Sequence, residues 1–166
     1  MLRRALAALA VLLGAGVLGA GPADADASVD QQLLDRYAPV VVVREHTTPC
    51  GDGEPYLPVG VESVLGRRDV VLRGPDGQTQ DAPTAADLAG KGAGWYLDLP
   101  GNPLSPGCDY ERWFDSFSTD LQPTVYGRIA VDPDHPGTTV LQYWFWWVFN
   151  DWNDKHEGDW EMIQVV

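Results

Sequence analysis

The sequence predicts a mainly β domain, a β-sandwich with short helices near its N-terminus, and three observations carry that expectation. In an extended strand from Thr138 to Phe149, residues Leu141, Tyr143, Phe145, Trp147 and Phe149 face one way, while Val140, Gln142, Trp144, Trp146 and Val148 face the other. Both faces are apolar, as in a central strand covered on two sides. A strand from Val125 to Val131 precedes it across the turn-rich Asp132-Pro133-Asp134-His135-Pro136-Gly137, and another from Asp159 to Val166 follows it. The chain shows no internal repeat, low-complexity tract or second domain, so packing sheet on sheet is the natural architecture.

The elements follow in order. Met1-Leu2-Arg3-Arg4 is a basic head, Ala5 to Ala20 is a run of small and apolar residues, and overlapping Ala-Asp-Ala triplets occupy Ala23 to Ala27. This reads as a secretory signal peptide over residues 1–27, cleaved after Ala25 or Ala27, so that residues 28–166 form one secreted, extracellular domain. An uncleaved anchor is the weaker reading, because the run is glycine-rich and short for a span of about 20 residues. Ser28 to Leu34 reads as a short capped helix that ends before Pro39. Val40 to Val43 is a β-branched run suited to a strand buried on both faces.

From His46 to Pro58, frequent Pro, Gly and Asp predict a surface loop carrying Cys50. Val61, Val64 and Leu65 are spaced for a helical turn or two. Asp69 to Arg73 reads as a strand, followed by a turn at Pro75-Asp76-Gly77. Thr84 to Asp87 is placed to cap a further short helix, with Asp where Glu or Gln is usual. Trp95 to Leu97 reads as a short strand and Pro100 to Gly107 as loop.

The formal charge of −13 survives removal of residues 1–27, since two arginines and two aspartates leave together. A surface this acidic repels phosphate backbones, which argues against a nucleic-acid partner and favours cations. Cys50 and Cys108 are the two cysteines, and an oxidising compartment predicts that they form a disulfide. In the chain-entropy model such a long closed loop restricts the unfolded state by roughly 4 kcal/mol.

The chemistry concentrates in "HEGDWE", His156 to Glu161, just behind the aromatic strand. Alternation places Asp159, Glu161 and Ile163 on one face, and Trp160, which would anchor the strand in the core, on the other with Met162 and Gln164. Residues two apart on a strand lie about 7 Å apart, so Asp159 and Glu161 can approach one cation. Gly158 permits a sharp approach of His156, and Asp151 or Asp154 can reach in from the preceding strand's end. Like charges held together call for a positive group between them. Mostly oxygen ligands favour calcium, magnesium or manganese over zinc. The bland reading of the same residues is a solvated acidic turn in which His156 pairs with a carboxylate. Other motifs fail: Trp160 stands where a zinc-protease helix needs its second histidine, and an EF-hand loop begun at Asp151 would put Met162 at the glutamate position.

"LQYWFWWVFNDW" followed by "HEGDWE" resembles the fungal vacuolar protein sorting 62-like family, which extends to plant and bacterial proteins. "RYAPVVVVREHTTPCGDGEPYLPVGVESVL" is similar to that family's opening, so the resemblance runs from Tyr37 onward and is least distinctive between Gly74 and Thr119. "HEGDWE" is also similar to the Gly-His-Arg-His-Asp-Trp-Glu motif of secreted necrosis-inducing proteins, cation-binding β-sandwiches that act on plant membranes through sphingolipid headgroups. That resemblance implies a cation at His156, Asp159 and Glu161, with Asp151 or, less well, Asp154 completing the set. Gly158 occupies the motif's second histidine position, so the resemblance does not carry toxicity over. Both families continue with further strands beyond the motif, which implies a domain incomplete at its C-terminus.

Three functions are therefore expected in turn. The first is a secreted β-sandwich with a divalent-cation site at His156, Asp159, Glu161 and Asp151. The second is a metal-dependent hydrolase with Glu157 or Asp154 as base. The third is a module that binds a glycan or glycolipid, or perturbs membranes.

Overall fold

The computed structural model describes residues 22–43, 48, 50 and 55–166. The basic head and apolar run of the expected signal peptide lie outside these residues. The described residues form two three-stranded antiparallel sheets and a few short helices. The sheets are not closed.

Helix α1 spans Pro22–Arg36, beginning earlier and ending later than the capped segment expected from Ser28 to Leu34. The β-branched run that follows is not a strand: Val40 and Val42 are 89% and 87% exposed, and the segment has no ladder partner among the described residues. β-Branched residues favour strands only where a neighbouring surface can pack against them.

The smaller sheet contains β1 (Val71–Arg73), β2 (Thr79–Asp81) and β3 (Tyr96–Asp98) in the order β2-β1-β3. Its hairpin turns at Pro75-Asp76-Gly77, where Gly77 takes a left-handed φ of 81° that a side chain would disfavour. Between β2 and β3, helix α2 (Ala85–Leu88) is capped by Thr84. Asp87 performs the glutamate's part, accepting hydrogen bonds from Thr84 N at 2.8 Å and Thr84 Oγ1 at 2.6 Å.

Helix α3 (Asp109–Ser118) is amphipathic: Tyr110, Trp113, Phe114 and Phe117 recur at helical spacing and turn one aromatic stripe inward. Its start is pinned by the Cys50–Cys108 disulfide, and Cys50 N donates to Glu111 Oε2 at 2.7 Å. The larger sheet contains β4 (Tyr126–Val131), β5 (Thr139–Asn150) and β6 (His156–Val165), with β5 central. β4 pairs only with the first half of β5. Beyond it the segment 55–60 runs alongside, and Val59 N donates to Trp146 O at 3.0 Å.

β5 is the wall between two cores. On one side Trp146, Val148 and Phe149 pack with α3, Tyr56, Val59, Val64, Val70 and Leu99. On the other, Leu141, Tyr143 and Phe145 pack with Leu33 and Leu34 of α1, Ile129 and Val165. Tyr143 Oη donates to Leu34 O at 2.8 Å, which fixes α1 to the sheet. Each fully buried side chain of this size contributes about 1.5–3 kcal/mol by leaving water, and β5 supplies Val140, Leu141, Tyr143, Phe145, Trp146, Val148 and Phe149 to the buried set.

Candidate functional site

The turn from β5 into β6 carries the polar residues singled out in the sequence. Asn150 Oδ1 accepts from Trp152 N at 2.8 Å, Asn153 takes a left-handed φ of 43°, and the chain reverses within five residues. Asp151 does not reach toward the hexapeptide's carboxylates. It forms an ion pair with Lys155 at 2.7 Å, so its charge is already compensated. Asp154 is exposed and contributes its backbone carbonyl, 2.7 Å from His156 Nδ1.

That contact fixes the histidine's tautomer. A carbonyl oxygen can only accept, so Nδ1 carries a proton. The other ring nitrogen, Nε2, lies 3.3 Å from Asp159 Oδ1. Neutral Nε2 and a carboxylate are both acceptors, and they attract only when a proton or another cation stands between them. The Asp154 carbonyl first, and Asp159 after it, therefore raise the His156 pKa above its ordinary value, with partial burial opposing. Gly158 makes the contact geometrically feasible. Its φ of 68° turns the backbone between His156 and Asp159, which strict alternation would send to opposite faces.

Glu161 stands opposite Phe145, is exposed, and has no hydrogen bond or ion pair to His156 or Asp159. Among the described residues, no group of three or more His, Cys, Asp or Glu is arranged to hold a metal ion. The structure thus joins two of the four expected ligands, His156 and Asp159. Their 3.3 Å separation suits two neighbouring positions around one divalent ion, since bonds of about 2.0–2.2 Å set adjacent ligands roughly 3 Å apart. Among the described residues no further ligand completes the set, so His156 and Asp159 by themselves do not fit a self-sufficient metal site.

Glu157 has a different task from its neighbours. It leaves the surface and ties β6 to α3 and to the end of β3: Oε1 accepts from the Tyr110 hydroxyl, and Oε2 accepts from Leu99 N at 2.9 Å. Tyr110 in turn stacks on Phe149 at a centroid distance of 3.9 Å. Burial raises the Glu157 pKa above the ordinary glutamate value and outweighs the two hydrogen bonds, and nearby Asp98 adds to the rise. Both carboxylate oxygens are engaged, which makes Glu157 a poor general base.

No protein-family model, curated protein or solved structure matches this chain. Its chemistry therefore has to be read from its own surface.

The feature least foreseen is an aromatic strip on the larger sheet. Trp160 does not anchor β6 in the core; it is 46% exposed, because α3 covers that face only as far as Trp146. Trp144 (37%) and its cross-strand partner Met162 (39%) extend the strip, and the Tyr126 ring lies 5.6 Å from that of Trp160. Tyr126 is held by a hydrogen bond donated to Glu62 at 2.7 Å and one accepted from Val61 N at 2.8 Å. Burial, followed by the bond to Glu62, pushes its pKa up to about 12. Gln142 and Gln164 border the strip and hydrogen-bond to each other at 3.2 Å. On the sheet's other side lies an open cleft of 270 Å³ among Pro39, Val41, Leu57, Pro58, Thr124 and Phe145, without a titratable side chain among the described residues.

Proposed function

We propose that this chain is a secreted, noncatalytic binding domain whose ligand is a glycan or the sugar headgroup of a glycolipid, taken on the Tyr126–Trp144–Trp160 strip. The observation that carries this reading is the exposure of Trp144, Trp160 and Met162 on a face where Trp146, two residues beyond Trp144 on β5, is only 2% exposed. Exposed rings on a hydrogen-bonded sheet offer large contact area with little side-chain entropy to lose. The apolar C–H face of a sugar ring stacks on such a surface, and Gln142, Gln164 and Glu62 at its margin are suited to hydroxyl groups. The charge of −13 disfavours phosphorylated and nucleic-acid ligands. The resemblance to necrosis-inducing proteins supports the same class of ligand, and with it a β-sandwich arrangement. The test is titration with soluble oligosaccharides and sedimentation with vesicles with and without a glycosylated sphingolipid. Binding that Trp160→Ala abolishes supports the reading; equal binding to plain vesicles or no binding to any glycan overturns it.

The His156–Asp159 contact favours a second reading, a divalent cation held jointly by these residues and by the ligand. A cation competes there with the bridging proton, so its affinity should rise with pH through the His156 pKa. Calcium or manganese titration of wild type and Asp159→Asn, with and without glycan, decides it; identical isotherms would remove the cation from the proposal. A hydrolase is less well supported, because Glu157 is committed to Tyr110 and Leu99.

A further inference from the structure

Strand β6 pairs with β5 along one side only, and among the described residues its outer backbone groups have no backbone partner. Its side chains are exposed on both faces. Trp160 and Met162 are open on one, and Ile163 (42%) is open on the other although its cross-strand partner Tyr143 is only 1% exposed. From His156 to Val166 there is no Lys or Arg. Glu157 is turned inward to Tyr110, which leaves Asp159, beside His156, and Glu161 as the outward carboxylates of the strand, both on the Ile163 face by alternation.

We infer that the free edge of β6 is a strand-addition site for an extended cationic peptide. An added strand takes up the open N–H and C=O groups of the edge, and its alternating side chains meet those of β6. Basic residues on one face would stand opposite Asp159 and Glu161, with apolar residues on the other opposite Trp160 and Met162. The charge balance selects this occupant over a second copy. Self-pairing of β6 would bring together two chains of charge −13 along edges that carry the same carboxylates. Trp160 and Met162 border both surfaces, but the open backbone of β6 and its carboxylates lie outside the aromatic strip, so this inference does not rest on glycan binding.

The test uses the intact chain and three synthetic decapeptides: alternating lysine–valine, alternating glutamate–valine, and alternating lysine–proline. The last keeps the charge but lacks half of the backbone donors and cannot form a regular ladder. The expected result is one-to-one binding of the lysine–valine peptide, at least tenfold weaker binding of the lysine–proline peptide, and none of the glutamate–valine peptide. Amide protons of β6 should gain exchange protection in the complex. Glu161→Lys, a change at an exposed position, should weaken the lysine–valine peptide at least fivefold and admit the glutamate–valine peptide. Equal affinity for the lysine–valine and lysine–proline peptides would reduce the effect to charge attraction and overturn the inference. Absence of binding to the lysine–valine peptide would overturn it too, as would a dimer seen by sedimentation that the peptide does not dissociate.

Discussion

Glu157 and Asp159 are two residues apart on one strand, yet the fold gives them opposite lives. Glu157 points inward to a tyrosine hydroxyl and a backbone amide, on an aromatic stack that includes Phe149. Asp159 remains near the surface and, among the described residues, meets a histidine from its own hexapeptide. The difference is set by what arrives from elsewhere in the chain. α3 covers β5 and β6 at the Glu157 end and stops short of Trp160. A carboxylate-rich motif is thus a mixture of architecture and surface chemistry, and the sheet's partners decide which residue serves which.

The largest effect that sharpens this contrast is expected from Glu157→Ala. It leaves the Tyr110 hydroxyl and Leu99 N–H without their acceptor, and each orphaned buried group costs about 1–3 kcal/mol. Urea denaturation should therefore show a loss of about 2–4 kcal/mol, against a loss within about 1 kcal/mol for Asp159→Ala at pH 8. Equal losses would erase the distinction between the two carboxylates.

Next comes Gly158→Ala. Its φ of 68° costs a side-chain-bearing residue about 1–2 kcal/mol, and the new Cβ would stand 3.4 Å from Trp146 Nε1. The variant should also separate His156 from Asp159 and lower the His156 pKa, which histidine NMR titration would read. An unchanged pKa would show that the glycine does not shape the contact.

The pH dependence gives a smaller, signed effect. Glu157 has a folded pKa raised above its ordinary 4.5, so the folded chain holds this proton more tightly than the unfolded one. Its contribution to stability is full below the unfolded value and is lost as pH rises through the folded value. Wild type should therefore lose stability relative to Glu157→Gln on going upward from pH 4.5, as measured by denaturation at a series of pH values. His156 follows the same sign in a higher window, with stability present below 6.5 and lost as pH rises through its raised folded pKa. The smallest stability effect belongs to Trp160→Ala, within about 1 kcal/mol at its half-exposed position, although this is the substitution expected to remove glycan binding.

The larger sheet was legible in the sequence because β5 is dense in β-branched and aromatic residues and its connection to β4 is dense in turn formers. β6 begins three residues earlier than Asp159 because the hexapeptide, polar as it is, follows the ladder of β5 from Asn150 onward. Helix α3 escaped notice although Tyr110, Trp113, Phe114 and Phe117 carry its period; charged neighbours interrupt the stripe, and the segment resembled nothing distinctive. Val40 to Val43 failed in the opposite sense, since β-branching promised a strand buried on both faces where Val40 and Val42 stand exposed. The fate of Glu157 was beyond local reading altogether. Tyr110 and Leu99 lie 47 and 58 residues away, and only tertiary structure brings them there.

The position of β5 between two cores also bears on the order of events during synthesis. α1, the segment 55–60, the smaller sheet and α3 all emerge before β5, and the hydrophobic faces of α1 and α3 both dock on it. Until β5 is made, neither hydrophobic interior can close, so the earlier segments wait as a loosely organised chain. The delay in closing both cores is thus supplied by the topology itself.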